Sequence, residues 1–182
     1  MKLGKLTVAL ATSALLVTGL FAADTDKKVP AFGNIMDVAY SELIWDKLED
    51  KGLNSIPANL YVGGPPHGKV REVLEGTING KKVIVKRNYG GKDVSIENVS
   101  NNRDKYLKAV TIMVAMEKGY DTKNSNWFWA KYKADGTLHT APNGLKIAGK
   151  FPGCIACHSS ASGNDLVFKH NKDANAEIVI VK

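Results

Sequence analysis

Cys154-Ile155-Ala156-Cys157-His158 constrains this chain more than any other stretch. Two thiols separated by two residues and followed at once by an imidazole form the C-x-x-C-H signature of covalent haem attachment. The cysteines are spaced to make thioethers with the two vinyl groups of one porphyrin, and the histidine then stands as the proximal iron ligand. No other cysteine occurs in the 182 residues. A structural zinc site needs four ligands, and there is no second pair to complete one. A redox dithiol belongs near the start of a βαβ unit, whereas this motif comes late, after strand-like runs. The expected cofactor is therefore a single, covalently bound haem c.

Such a haem is attached outside the cytoplasm, and the start of the chain agrees. Lys2 and Lys5 give a basic opening, residues 6–21 are apolar and uncharged, and Ala22 and Ala23 offer small residues for cleavage. The apolar run is short beside the roughly 20 residues of a membrane span. Residues 1–23 read as a cleaved signal peptide and the mature protein as periplasmic. Losing Lys2 and Lys5 lowers the net charge of +7 by two. The mildly basic remainder suits an acidic redox partner. No interleaving of basic and aromatic residues points to nucleic acid.

Residues 24–52 read as an N-terminal lead and helix. Asn34 caps a helix toward Lys51, with Met36, Ala39, Tyr40, Leu43, Ile44 and Leu48 at helical spacing and Gly52 as the stop. Met36, on that stripe, is expected in the core rather than on iron. Residues 53–182 form the haem domain. Pro57, Gly63-Gly64-Pro65-Pro66 and Gly68 make residues 53–69 a loop, and His67 inside it is a distal-pocket candidate, because loops carry function. Residues 70–74 form a short strand, with turns at Gly76 and Asn79-Gly80. Residues 82–89 form another, with Val83, Val85 and Arg87 on one face and Ile84, Lys86 and Asn88 on the other. From pattern alone Lys86 is an edge or surface lysine.

Residues 92–105 are polar and turn-rich. The apolar run of 107–116 reads as a buried strand and residues 127–132 as an aromatic one. Asp135-Gly136 starts a return at 137–139. A helical turn is expected over 158–162 and a last strand over 177–181. The fold class is α+β, a mainly antiparallel β-sheet with a few helices and the haem packed against the sheet. Helical electron-transfer cytochromes and four-helix cytochromes are excluded.

The order of Pro66-His67-Gly68, Val83-Ile84-Val85-Lys86, the run of 107–113, Asn126-Trp127-Phe128-Trp129, Tyr132, Asp135-Gly136, the C-x-x-C-H motif and Asn164-Asp165-Leu166-Val167-Phe168 resembles the cytochrome P-460 family. The likeness spans residues 60–170. It implies a periplasmic, mainly β, homodimeric monohaem protein with five-coordinate iron and an open distal side. It also implies that Lys86, closing the V-I-V-K pattern, bonds to a meso carbon of the porphyrin. That revises the surface reading of Lys86: burial lowers a lysine's pKa, and the neutral amine is the form able to bond.

The implied reaction is oxidation of hydroxylamine to nitric oxide or nitrous oxide opposite His158. Electrons pass to a periplasmic acceptor such as another cytochrome c, and protons to a distal base. Candidates for that base are His67, Glu72, Glu75 and Glu97, unranked because reach to the substrate decides. Arg71 and Arg87 are candidates for orienting an anionic intermediate. The related cytochromes c′-beta imply an alternative, a binder of nitric oxide without turnover. It lacks the lysine–haem bond and has an aromatic cap over the iron, for which Phe32, Phe128 and Phe151 are the candidates. An electron carrier with a methionine, His139 or His170 as a second axial ligand is a third reading, and the sheet-rich pattern argues against it. The helix of 34–51 has no counterpart in the family pattern, and the segment of 70–80 is short for it.

Overall fold

Alternating side chains and one tight turn convert the middle of the chain into a single antiparallel sheet. The computed structural model describes residues 30–48, 54–55, 60–161, 164–168 and 177–178. The expected signal peptide, most of the lead, the end of the first helix and the continuation of the last strand lie outside them. The elements are α1 (Ile35–Leu48), β1 (Asn54–Ser55), β2 (Tyr61–Val62), β3 (Val70–Ile78), β4 (Lys81–Tyr89), α2 (Ile96–Asn101), α3 (Arg103–Tyr106), β5 (Leu107–Ala115), β6 (Trp127–Lys133), β7 (Ala148–Gly149), α4 (Pro152–His158) and β8 (Glu177–Ile178). The sheet runs β7-β6-β5-β4-β3-β2-β8, with β1 beside β3. The class is α+β, as expected.

Asn79 and Gly80 both adopt left-handed backbone, φ 50° and 74°, the geometry of a two-residue turn that matches strand twist. That turn fixes the register Val73↔Lys86 and Leu74↔Val85. It also carries β3 straight through Gly76, where a turn was expected. Leu74 and Ile78 are both buried on one face, so the apolar alternation continues across the glycine.

The two faces of the sheet have different partners. Val83, Val85, Ile112, Val114, Phe128 and Tyr132 face α1 and enclose its Ile44 and Leu48. The Tyr132 hydroxyl donates to the Ser41 carbonyl at 2.7 Å. Asn34 caps α1 as expected, accepting from the amides of Met36 and Asp37 at 2.9 and 3.0 Å. The expected apolar stripe is wrong in part: Met36 is 74% exposed and Leu43 46%. α1 therefore buries a narrower stripe of Ser41, Ile44 and Leu48, and Met36 belongs neither to the core nor to the opposite face. That face carries Val73, Ile84, Met113, Trp127 and Trp129, packed against α4 and Leu166.

Four further expectations change. Residues 92–105 hold two short helices, α2 capped by Ser95 and α3 by Asn102. Each is too brief to show a periodic stripe, and they bury Ile96, Val99 and Tyr106 against Leu60, Val70 and Tyr89. The loop of 53–69 contains β1 and β2, each paired to β3. The return at 137–139 is a single bridge between Tyr132 and Leu138. Near the cysteines, the helix comes before His158 rather than after it: Pro152 starts α4, where its missing N–H costs nothing.

Candidate functional site

Between α4 and the sheet face bearing Ile84, Lys86, Thr111, Met113 and Trp129 lies a cleft of about 220 Å³. Phe151, Val167 and Phe168 complete its walls, and His67 reaches it from the loop before β3. Cys154 and Cys157 are free thiols. One helical turn apart, they share a face of α4, and both border the cleft together with His158.

His158 is buried and held in one orientation. Its Nδ1 lies 2.8 Å from the Leu166 carbonyl oxygen. A carbonyl only accepts, so the hydrogen sits on Nδ1 and the Nε2 lone pair is left available. Trp129 and Phe168 meet the ring edge-on, with centroids at 4.7 and 5.1 Å. Burial pushes the imidazole down to about 4, so it is neutral near pH 7, the form that binds a metal. The accepting Leu166 is itself in left-handed backbone, φ 60°, which is uncommon for a branched side chain. Its segment is tied to the start of β6: Trp127 Nε1 donates to the Asp165 carbonyl at 2.7 Å, and Ser125 Oγ to the Asn164 carbonyl at 3.1 Å. The N-W-F-W and N-D-L-V-F runs thus meet around the imidazole.

Lys86 is the second buried polar group of the cleft, 7% exposed. The reading of Lys86 as a surface lysine is overturned: it is buried and lines the cleft. Burial first, then the Arg71 charge, lower its amine to about 8. Its Nζ lies 5.9 Å from the Phe168 ring centroid, and among the described residues it has no hydrogen-bond partner. Across the sheet the register runs Lys86–Thr111–Lys131, and Lys131 borders the cleft too.

Of the four acid–base candidates, only His67 borders the cleft. Burial, with Lys86 and Arg71 next, pushes its imidazole down to about 3. Glu72 lies on the opposite face of the sheet, in register with Arg87. It accepts from Arg103 at 2.7 Å, Arg87 at 3.4 Å and the Tyr89 hydroxyl at 3.3 Å. Glu75 pairs with Lys82 at 3.0 Å, and Glu97 is exposed in the first turn of α2. One-residue alternation along β3 explains why Glu72 turns away while its neighbour Arg71 turns toward the cleft side. Arg87 shares the Glu72 face.

Phe128 packs edge-on against Tyr40 in the α1 layer, so it is no cap. Phe32 contacts Phe151 edge-on at 5.0 Å, and only Phe151 of that pair borders the cleft. His139 lies outside its lining, and His170 is outside the described residues. Lys131 and Phe168 are site residues to which sequence reasoning gave no role. For Phe168 the signal was there, in its place within the N-D-L-V-F run.

Among the described residues no group of three or more His, Cys, Asp or Glu side chains is arranged to hold a bare metal ion. Two free thiols, an imidazole with one nitrogen available and apolar, partly aromatic walls instead fit a covalently held macrocycle. Trp129 Nε1, buried without a partner among the described residues, marks the same cleft as incomplete. No curated protein and no solved structure matches the chain. The family model described as Cytochrome P460 does match, over residues 68–169, a span that contains β3 to β6, α4 and Leu166. The chain belongs to the cytochrome P460 family and is, with it, a haem-binding cytochrome.

Proposed function

We propose that this protein is an exported monohaem c-type cytochrome that oxidises hydroxylamine to nitric oxide or nitrous oxide. The observation that carries the reading is Lys86, a buried amine on the same cleft as two thiols and an imidazole, with no hydrogen-bond partner among the described residues. Cys154 and Cys157 would hold the porphyrin by thioethers, and His158 Nε2 would hold the iron. When bound, the haem supplies a coordination position for the substrate and an exit for its electrons.

The chain's own residues do the rest. Near pH 8 the Lys86 amine is substantially deprotonated, which suits bonding to the macrocycle. His67, neutral at working pH, accepts a hydrogen bond from the substrate and passes protons outward. Phe151 and Phe168 keep bulk water from the reacting side. Residues 1–23 direct export to the periplasm, where another cytochrome c takes the electrons. The protein works as a homodimer.

Intact mass and denaturing spectra of the matured protein test this reading. The expected result is a haem held by a third covalent bond beyond its two thioethers, with a red-shifted ferrous Soret band. Hydroxylamine turnover with an artificial acceptor is expected in the same sample. Lys86→Ala should abolish both the third bond and turnover. A coloured wild type that binds nitric oxide, lacks the third bond and never turns over belongs with the cytochrome c′-beta-like gas binders instead.

A further inference from the structure

Arg71 is a buried cation outside the lining of the cleft, so far named only as a candidate for orienting an anionic intermediate. It is 3% exposed and sits on β3 in register with Asn88, one row beyond Val73↔Lys86 on the cleft side of the sheet. Its Nε donates to the Gly68 carbonyl at 3.0 Å, and Tyr61 on β2 is its cross-strand neighbour in register. Nη2 is buried with no partner among the described residues. The loop before β3 folds directly onto this group: a Cβ on Gly63 would come within 2.5 Å of the Arg71 Cζ. His67, Lys86 and Cys157 all lie close enough to exchange electrostatic influence with it. No described carboxylate is paired with it; the ion pairs found belong to Lys81, Lys82, Arg87 and Arg103.

A buried guanidinium is expensive unless an anion compensates it, and the charged side chain whose amine it lowers, Lys86, is another cation. Its fork is built to receive a flat oxyanion through two parallel N–H donors. Tyr61, 2% exposed and in register beside it, carries an O–H able to donate. We propose that Arg71 and Tyr61 form the seat of an oxyanion brought by the occupant of the cleft. Two sources share that chemistry. One is a propionate of the bound porphyrin, which rests on the function proposed above. The other is a free small oxyanion such as nitrite.

The test uses matured holoprotein as wild type, Arg71→Met, Arg71→Lys and Tyr61→Phe. Resonance Raman bands of the haem propionates, the haem midpoint potential and optical titration of the ferric form with nitrite are measured on each. A propionate in the seat predicts shifted propionate bands and a lower potential in Arg71→Met, because a nearby positive charge is lost; Arg71→Lys restores part of the potential. A free oxyanion predicts unchanged bands and potential, with nitrite affinity reduced about tenfold or more, the size expected for truncating a buried charge partner. Either result supports the seat. A folded Arg71→Met that moves none of the three overturns it. If that variant does not fold, Tyr61→Phe takes its place, with smaller shifts in the same direction expected and no shift overturning the proposal. Wild type without haem sinks the proposed function and not the seat. In that event thermal stabilisation by nitrite, lost in Arg71→Met or Tyr61→Phe, upholds the seat, and its absence from wild type overturns it.

Discussion

Arg71 and Glu72 are neighbours in sequence, and β3 sends them to opposite sides of one sheet. On the α1 side, the buried carboxylate of Glu72 collects Arg103, Arg87 and the Tyr89 hydroxyl. On the cleft side, Lys86, Lys131 and His67 border a cleft with no carboxylate in its lining, and Arg71 is buried on the same side outside that lining. The first face answers its own charge. The second does not, and unanswered buried charge is tolerated mainly at sites that bind or react. The contrast identifies the working face without reference to the cysteines.

Substitutions of opposite expected sign can break that contrast. The largest effect belongs to Lys86. Holding an amine at about 8 rather than 10.5 costs roughly 3 kcal/mol at neutral pH. In a haem-free Cys154→Ala/Cys157→Ala background, Lys86→Met should therefore raise urea stability by up to about that amount. The unfolded state binds the extra proton between the two values, so stability should also rise as pH climbs from about 8 to 10.5, and Lys86→Met should flatten that slope. A destabilising Lys86→Met would remove the distinction between the faces.

Glu72→Leu should act the other way, costing about 2–3 kcal/mol in urea unfolding of the holoprotein; the half-exposed arginines keep it below the full figure for a buried pair. Gly63→Ala should cost about 1–3 kcal/mol by pressing on the Arg71 guanidinium, and less when combined with Arg71→Met. Arg103→Ala is smallest, about 1 kcal/mol, because its partner keeps Arg87 and Tyr89. Finally, His67 should show no titration near 6.5 by NMR of the reduced protein, its imidazole staying neutral until the pH falls toward about 3.

Much of this was legible in the residues. The alternation of Val83–Lys86, the Asn79-Gly80 turn and the apolar run of 107–116 give the central strands and their faces. C-x-x-C-H gives the thiols and the imidazole. What escaped depends on contacts distant in sequence. No local pattern says that Glu72 meets Arg103, because α3 is brought to β3 by tertiary packing. Met36 fits a helical stripe on paper, yet the layer above β5 and β6 is only wide enough for Ile44, Leu48 and their flanks. Lys86 read as surface because period-two logic sees alternation and not what covers a face.

The Leu166 carbonyl has a consequence of its own. An imidazole that gives its far hydrogen to an oxygen gains imidazolate character and becomes a stronger electron donor. The donating power of His158 is thus tuned by a left-handed leucine eight positions downstream. A change at that one backbone position would therefore reach the imidazole electronically while leaving Cys154, Cys157 and His158 themselves in place.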